Sequence, residues 1–282
     1  MKLSPKLTQK IAWGLIWTAG ISAVLILLLI VVYVMARGLP IFGSDFFFTE
    51  PGGGISGEGG ISSIIVSTIW LIATTMIILT PLGIGSAIYL AEYAPDNWFT
   101  GLIRHGVELL AGVPSIIFGL FGFAIFVIAL NFSYSILAGA LTLACLLLPF
   151  LIRTTEEAMK AVPKSYREGA LALGATKWQM TTRVVVPAAL PGIITGIILC
   201  IGGAVAESAC LFVTMGGSAG MPSSFFDGGR SLAVHVFYLA TETNALDKAL
   251  ATGAVLIMLI LIINLATKWL SLRFRARMEG KA

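Results

Sequence analysis

Apolar residues in this chain are gathered into long runs that alternate with short polar segments, a pattern typical of proteins that cross a membrane several times. A helix rises about 1.5 Å per residue, so about 20 apolar residues span the roughly 30 Å core of a bilayer. Six runs have about this length: residues 11–36, 61–90, 106–130, 134–152, 187–213 and 245–270. The pattern predicts an all-α integral membrane protein with six transmembrane helices.

Composition and charge placement strengthen this interpretation. Hydrophobic residues make up 57% of the chain and charged residues 11%, a balance too apolar for a soluble domain. Lys and Arg concentrate in segments that would share one side of the membrane with the N-terminus, and only Arg37, Arg230 and Lys248 fall elsewhere. Because basic loops stay in the cytoplasm, both termini are predicted to be cytoplasmic. The net charge of +4 then reflects topology, and nucleic-acid binding is not predicted.

No motif in the sequence predicts catalysis. The connection over residues 39–60 contains PGGGISGEGG but lacks the Gly-Lys-Ser/Thr ending with which a P-loop holds phosphates and magnesium, so it is interpreted as a flexible external connection. The sequence offers no metal-ligand cluster and no paired nucleophile and base, and its three cysteines lie in or beside apolar runs. The chain is predicted to be non-enzymatic, with no cofactor or metal of its own.

A polar, cationic segment, residues 153–186, lies between the fourth and fifth apolar runs. Its length allows two short helices joined near Pro163. Ser165 and Glu168 have the spacing of a capping box at a helix start, and Gly174 is suited to end that helix. A short amphipathic helix that projects from a membrane protein can lie on the lipid surface or dock into a groove of a soluble partner.

Residues with a recognisable spacing in this segment are Glu168, Gly169, Ala170, Gly174, Ala175, Val184, Val186 and Pro187. The spacing resembles the EAA loop of ABC importer permeases, with Gly169 in place of the usual first alanine. Residues 89–93, 109–123, 152–157 and 231–240 also resemble PstA-type permeases of phosphate ABC importers. The resemblance covers most of the chain from about Thr80 onward.

The resemblance implies a single permease domain over residues 1–282, of MetI-like ABC permease architecture, with a cytoplasmic coupling loop over residues 153–186. In such importers the loop docks on a cytoplasmic ATPase dimer, which binds ATP and Mg²⁺. A second, PstC-like permease subunit and an external phosphate-binding protein would complete an importer in the cell inner membrane that works by alternating access. The coupling positions implied are Tyr166, Arg167, Glu168, Gly169, Ala170, Gly174, Ala175 and Pro187.

Glu207 is a carboxylate inside the fifth apolar run. A charged side chain at membrane depth costs at least about 2.5 kcal/mol, so such residues usually face a bundle interior or a water-filled cavity. Glu207 and its neighbour Ser208 are therefore candidates for the translocation pathway. The alternative is a structural carboxyl that is protonated or bonded to a neighbouring helix.

The phosphate permeases are expected to carry an arginine one helical turn before this glutamate, where the chain has Gly203. A guanidinium is the natural partner of both a carboxylate and an oxyanion. Three explanations are open: the sister permease supplies the arginine, the external Arg230 folds inward, or the substrate is not phosphate. Arg230 is the third pathway candidate, and an ordinary ion pair with Asp227 is its competing interpretation.

The predicted function is that of a transmembrane permease subunit of an ATP-driven importer, for phosphate or for another oxyanion. An ion-coupled secondary transporter, in which Glu207 would carry protons or cations, is the alternative from another class. Such a transporter needs no ATPase-docking loop. A membrane scaffold would leave the EAA-like spacing unexplained.

Overall fold

The chain folds into a bundle of helices, and the computed structural model describes residues 5–52 and 57–278. Three π-helical turns, Tyr89–Tyr93, Phe123–Ala129 and Thr181–Val185, extend or precede α-helices, and a short 3-10 turn, Leu39–Ile41, follows the first helix. Within the described ranges the α-helices are α1 Pro5–Gly38, α2 Ser44–Phe48, α3 Ser62–Ile88, α4 Trp98–Leu110, α5 Ser115–Gly122, α6 Ile136–Lys160, α7 Lys164–Ala172, α8 Lys177–Met180, α9 Val186–Ala206, α10 Ala209–Thr214, α11 Leu232–Glu242 and α12 Leu246–Met278.

In the described ranges, five helical segments are long and apolar enough to cross a bilayer, and a bent helix pair makes a sixth if it counts as one span. The five are Gln9–Ile41, Ser62–Tyr93, Ile136–Lys160, Lys177–Ala206 and Leu246–Trp269. Each overlaps one predicted run. The predicted all-α membrane architecture is therefore confirmed.

The third predicted span, residues 106–130, is a bent pair rather than one continuous helix. α4 and the segment Ser115–Ala129 meet at an angle of 103°. Pro114 causes the break, because it has an extended backbone (φ −57°, ψ 139°) and no N–H with which to continue α4. α4 also begins before the apolar run. Asn97 caps its start, because the Asn97 side-chain oxygen accepts a 2.9 Å hydrogen bond from the Thr100 N–H.

The fourth span continues beyond its predicted end. α6 reaches Lys160 rather than residue 152. Its extra turns are helical because one face is buried, with Met159 fully covered and Glu156 nearly so. Lys160 Nζ lies 2.7 Å from Glu156 Oε1, a pair spaced four residues apart on the helix. The polar connection therefore begins at Ala161, and the first part of the predicted coupling loop belongs to α6.

The centre of the bundle is formed by α3, α6, α9 and α10. Leu71, Leu143 and Leu211 are fully buried in one apolar cluster, and Leu79 and Leu151 in a second. Burial of such side chains stabilises the fold by roughly 1.5–3 kcal/mol each in water. In a bilayer the same positions depend on close packing instead, since lipid tails are as apolar as leucine.

α1 lies at the edge of this bundle. No residue in the most apolar part of its span is buried against the rest of the chain. Its contact is with α12 and lies at the C-terminal end of α1, where a Cβ on Gly38 would be 2.8 Å from the Leu250 carbonyl oxygen. Arg37 Nη1 lies 3.7 Å from Asp247 Oδ1 at the same end.

The glycine-rich connection between α2 and α3 is packed against the bundle where it is described. Gly59 pairs with Pro51 in an isolated antiparallel bridge. Lys248, near the start of α12, donates from Nζ to the carbonyl oxygens of Gly57 at 2.9 Å and Gly59 at 3.1 Å. Residues 53–56 of the predicted external connection lie outside the described residues.

Two glycines on α3 provide a matched test of the packing. A Cβ on Gly83 would lie 2.7 Å from Leu151 Cδ2 and 2.9 Å from its Cγ, whereas a Cβ on Gly85 meets nothing within 4 Å. Gly83→Ala should destabilise the bundle by about 1–3 kcal/mol, because Leu151 is fully buried and cannot move away. Gly85→Ala should be neutral or stabilising by up to about 1 kcal/mol. Thermal unfolding of both purified variants in detergent measures the difference, and equal midpoints would contradict the packing.

Candidate functional site

The polar connection between α6 and α9 forms a compact element that we call the α7–α8 unit, residues 164–180. α7 begins after Pro163, whose fixed φ of −57° suits the residue before a helix. The predicted capping box of Ser165 and Glu168 is not formed, because α7 already starts at Lys164 and both residues lie within it. The capping box is instead at α8, where Gln179 N–H donates to Thr176 Oγ1 and Thr176 N–H donates to Gln179 Oε1.

Gly174 ends α7 as predicted, through a Schellman motif. Its φ is +83°, a left-handed value that favours glycine. Gly174 N–H donates to the Leu171 carbonyl oxygen at 3.0 Å, and Ala175 N–H to that of Ala170 at 3.1 Å. The motif turns the chain sharply between α7 and α8 and so fixes the shape of the unit.

Large apolar side chains of the unit are exposed. Leu173, beside the Gly174 turn, is 90% exposed, and Trp178 on α8 is 64% exposed. Tyr166 and Leu171 are about half exposed and belong to the same unit. Tyr166, Leu171 and Leu173 precede the spanning segment Lys177–Ala206 and Trp178 lies at its start, so these exposed apolar side chains define a candidate interaction site.

The predicted coupling residues have different surroundings. Glu168 and Gly169 are exposed, and a Cβ on Gly169 would meet nothing within 4 Å. Ala170 is half-buried and packs against the cluster that includes Met180 and Val185. Tyr166 borders an open groove of about 530 Å³ between the end of α6 and the start of α9.

Pro187 does not belong to the exposed surface of the unit, because it lies near the start of α9. It has no N–H to donate to the carbonyl four residues earlier. The π-turn Thr181–Val185 lies directly before this position. We attribute the widened turn to the missing hydrogen bond, so Pro187 shapes the helix rather than the surface of the α7–α8 unit.

Arg167 faces the bundle rather than the solvent. Its Nη2 lies 2.7 Å from Glu92 Oε1 and its Nε 3.2 Å from the same oxygen. Nη1 donates to the Val162 carbonyl at 2.7 Å, and Nη2 to the Met159 carbonyl at 2.9 Å. Arg167, one of the coupling positions implied by the resemblance, therefore fastens α7 to the ends of α3 and α6.

A second ionic cluster holds α4 against α6 near the same end of the bundle. Arg104 Nε lies 2.9 Å from Glu156 Oε1, and its Nη2 donates to the Leu90 carbonyl at 2.8 Å. Arg153 pairs with the exposed Glu108 at 3.1 Å. These residues border an open cavity of about 230 Å³. Glu108, near the end of α4, is thus part of an ion pair between α4 and α6.

The pathway candidates Glu207 and Ser208 lie where the predicted fifth span is interrupted. α9 ends at Ala206, and α10 starts at Ala209. Glu207 Oε1 accepts the backbone N–H groups of Ser208 at 3.2 Å, Ala209 at 3.0 Å and Cys210 at 3.4 Å. The carboxylate therefore caps the start of α10 and satisfies donors that a helix break leaves unpaired. The structural interpretation of Glu207 thereby gains a specific contact.

Arg230, the third pathway candidate, is folded inward and only 6% exposed. Its Nε donates to the Gly217 carbonyl at 3.2 Å, and Nη2 donates to the same oxygen. Nη1 lies 3.2 Å from His235 Nδ1, and the guanidinium stacks 3.8 Å from the centre of the Tyr238 ring. Burial and this neighbouring guanidinium lower the pKa of His235 to about 4, so its imidazole is neutral at pH 7.

The ion pair considered between Arg230 and Asp227 is not formed. Asp227 Oδ2 instead accepts hydrogen bonds from the Ser223 hydroxyl and N–H, both at 2.7 Å, and from the Ser224 N–H at 2.9 Å. These donors lower the pKa of Asp227. Within residues 5–52 and 57–278, no ion pair joins Arg230 to Glu207. The structure therefore does not bring the two charged pathway candidates together.

Sequence reasoning missed two residues of this region. Glu92 was seen only as part of the YLAEY segment, although a carboxylate directly after an apolar run is a signal for an ionic contact at a helix end. Trp178 follows a lysine in a short polar stretch, and no pattern there separates an exposed tryptophan from a buried one. The ionic contact of Glu92 and the exposure of Trp178 are both known only from the fold.

Comparison with known proteins defines the class. Residues 80–280 match the family described as binding-protein-dependent transport system inner membrane component. The chain belongs to this family and is a multi-pass inner-membrane permease component of an ABC importer.

Individual relatives agree with this assignment. The chain is 35% identical to a probable ABC transporter permease protein, YqgI, of Bacillus subtilis, over 95% of this chain and 96% of the relative. It is 32% identical to the phosphate transport system permease protein PstA 1 of Mycobacterium tuberculosis, over 94% of this chain and 89% of the relative. The resemblance to PstA-type permeases found in the sequence is confirmed.

A solved structure shows the same fold. A chain of a bacterial ABC transporter involved in the import of the acidic polysaccharide alginate superposes with a TM-score of 0.65 at 16% identity. The superposition covers 95% of this chain and 99% of the other. At this identity the likeness speaks for the architecture alone, and the expected ABC permease fold is confirmed.

Substitutions of Glu207 separate its capping role from a role in transport. Glu207→Ala removes the acceptor at the start of α10 and should lower the free energy of unfolding by about 1 kcal/mol. Glu207→Gln keeps an amide oxygen at the same place and should cost less. Thermal unfolding in detergent measures both. If Glu207 also lines the pathway, Glu207→Gln reduces transport while ATPase binding is unchanged, and full uptake by this variant would leave Glu207 a structural residue.

Proposed function

We propose that this chain is the permease subunit of an ATP-driven phosphate importer and that a cytoplasmic ATPase dimer docks on its α7–α8 unit. The observation that carries the proposal is the exposure of apolar side chains, Tyr166, Leu171 and Leu173 on the polar connection before the fifth span and Trp178 at the start of that span. A short helix that presents apolar side chains can enter a groove of a partner protein. The EAA-like spacing around Glu168 and Gly174 supports the same role.

Docking on a protein fits the unit better than lying on a lipid surface. Helices that bind lipid surfaces carry Lys and Arg on their polar face, which attracts anionic headgroups. In the α7–α8 unit, Arg167 is turned inward onto Glu92. The exposed charges are therefore those of Lys164, Lys177 and the carboxylate of Glu168 between them, and they do not form a purely basic face. A carboxylate is repelled by anionic lipid but can pair with a basic group of a protein.

Phosphate is the proposed substrate because of the similarity to the phosphate permease protein PstA 1, which extends over nearly the whole chain. Gly203 stands where the family pattern leads us to expect an arginine, and Leu147 Cδ2 lies 3.4 Å from where its Cβ would be. We therefore assign the missing guanidinium to a second, PstC-like permease subunit. Gly203 is also the reason to compare phosphate with another oxyanion in any transport test.

The proposed assembly follows from these assignments. The chain forms one permease domain, residues 1–282, whose coupling segment is the part of residues 153–186 that follows α6, from Ala161 onward. It pairs with the second permease subunit across the inner membrane. The ATPase dimer binds ATP and Mg²⁺ on the side of both termini, and an external phosphate-binding protein delivers the substrate. Closure of the ATPase pair moves the α7–α8 unit, and the spans convert between outward-open and inward-open states.

All three pathway candidates are retained in this proposal. Ser208 and the capped Glu207 mark a helix break at the end of the spanning segment Lys177–Ala206, and broken helices often line transport pathways. Arg230 is a buried guanidinium whose described partners are all neutral, so a passing anion would find an uncompensated positive charge close by. The contacts of Glu207 with backbone N–H groups leave less reason to assign it proton transport.

Leu173→Asp tests the docking proposal directly. Leu173 is almost fully exposed, so the charge should not disturb the fold, but it should weaken retention of the ATPase by about tenfold or more because a central apolar contact is lost. Leu246→Asp is the matched control, an exposed leucine at the opposite end of the bundle. Affinity purification in mild detergent, with the co-purified ATPase quantified, measures the effect.

Equal retention by the Leu173 and Leu246 variants would contradict docking at this surface. Gly174→Ala provides a second test, because a residue with a Cβ at φ +83° costs roughly 1–2 kcal/mol and distorts the turn that sets the relative positions of α7 and α8. It should weaken ATPase coupling without unfolding the spans.

Transport of phosphate should depend on the whole assembly. Proteoliposomes that contain the complex, with ATP on the cytoplasmic side and binding protein outside, should take up labelled inorganic phosphate at least about tenfold faster than the same vesicles without ATP. A tenfold excess of sulfate should leave the rate nearly unchanged. Complete competition by sulfate, or uptake of sulfate in place of phosphate, would identify another oxyanion as the substrate.

A further inference from the structure

Arg167 fastens α7 to the membrane spans. In the described part of the chain, it makes the only side-chain hydrogen bonds between this helix and the spans. The Arg167 side chain is 20% exposed, and the Glu92 side chain is 6% exposed. Nε and Nη2 both donate to one carboxylate oxygen of Glu92. Nη1 donates to the Val162 carbonyl and Nη2 also to the Met159 carbonyl, at the C-terminal end of α6. Arginine suits this position because its planar fork can bind several acceptors with fixed geometry.

The acceptor of this ion pair lies in an unusual segment. Glu92 belongs to the π-turn Tyr89–Tyr93, which ends the long helix of the second span. A π-turn holds one residue more than an α-helical turn, and such turns occur frequently at functional sites. Arg104 on α4 donates a hydrogen bond to the carbonyl of Leu90 in the same turn. The cytoplasmic end of α3 is thus held from two sides, by α4 and by α7.

The same π-turn also contacts α8 through an aromatic side chain. Lys177, at the start of α8, lies 5.1 Å from the centre of the Tyr93 ring. Both helices of the α7–α8 unit therefore touch the π-turn.

We infer that the Arg167–Glu92 ion pair transmits movement of the α7–α8 unit to α3, and that Glu92 is the positioning residue that receives it. The inference rests on the proposed function, because it requires an ATPase that moves this unit. The exposed apolar face of the unit binds the partner, and the inward face carries the displacement to the span. α3 in turn packs along α6 in the centre of the bundle through Leu71, Leu79 and Leu151.

The transmission role differs from a docking role in what it predicts. Arg167 and Glu92 do not belong to the exposed surface, so their loss should leave the ATPase bound. The displaced unit would then no longer pull on α3, and ATP hydrolysis would continue without transport. A residue that merely stabilised the fold would instead lower assembly, hydrolysis and transport together.

The experiment compares Arg167→Gln, Glu92→Gln and the double variant in the complete complex reconstituted in proteoliposomes, with labelled inorganic phosphate as the probe. Three quantities are measured on one preparation: co-purified ATPase, the rate of ATP hydrolysis and the amount of phosphate transported per ATP. Arg153→Gln is the control, because Arg153 also pairs with two carboxylates, Glu108 and Glu157, but its pairs are exposed and do not involve α7.

Each single variant should retain the ATPase and lose about tenfold in phosphate transported per ATP, a value within the usual range of coupling between sites. The double variant should lose no more than either single variant, since both remove the same interaction. Arg153→Gln should transport normally. Should Arg167→Gln fail to reach the membrane, Glu92→Gln, which keeps the shape of the side chain, provides the same test.

Two outcomes would overturn the inference. Unchanged transport per ATP in both single variants would show that the pair transmits nothing. Loss of co-purified ATPase in step with transport would show a structural or docking role for the pair. Failure of the proposed function itself is a separate result, because the unaltered chain would then retain no ATPase or take up no phosphate.

Discussion

Backbone hydrogen bonding without water is the constraint on which this structure depends. Inside a bilayer an unpaired N–H or C=O has no solvent partner, so helices must be continuous or their breaks must be satisfied by protein groups. The break between α9 and α10 meets this demand with the Glu207 carboxylate, which binds three successive N–H groups. Near Pro187 the chain widens into a π-turn instead, and at Pro114 one helix ends and another starts. The polar positions of the spans are thus explained first by the backbone.

The sequence was sufficient to predict the approximate position of the spans, because apolar length is measured directly against membrane thickness. Five of the six predicted spans overlap a continuous helical segment, and the third is a bent helix pair. It also predicted that Gly174 would end α7, since glycine is favoured where φ is positive. The limits of α6 could not be predicted in this way. Its last turns contain charged residues, and the burial of Met159 and the contact of Glu156 with Arg104 on a distant segment make a helical continuation favourable.

In the candidate site, too, some features could be predicted from the sequence and others could not. Exposure of the α7–α8 unit follows from its polar composition, but the inward orientation of Arg167 depends on Glu92, which lies 75 residues earlier in the chain. Spacing alone predicts a capping box at Ser165, whereas in the structure the helix starts one residue earlier, directly after Pro163. Arg230 could be recognised as a candidate, yet the alternative of a pair with Asp227 was decided by serine donors whose geometry the sequence does not reveal.

The α7–α8 unit combines two surfaces with opposite chemistry on one short segment. The outer surface is apolar and carries Leu173 and Trp178, and the inner surface is ionic and centred on Arg167. Apolar contacts depend on shape and tolerate small rotations, whereas a guanidinium held by several acceptors does not. A force applied to the outer surface would therefore reach the bundle through the fixed contacts of Arg167 as well as through the apolar packing of Ala170.

The isolated position of α1 has a consequence for the surface that the protein presents inside the membrane. The helix contacts the bundle near its C-terminal end, at Gly38, and no residue in its most apolar part is buried against the rest of the chain. The remaining surface of α1 is therefore left to be covered by lipid or by another subunit of the assembly.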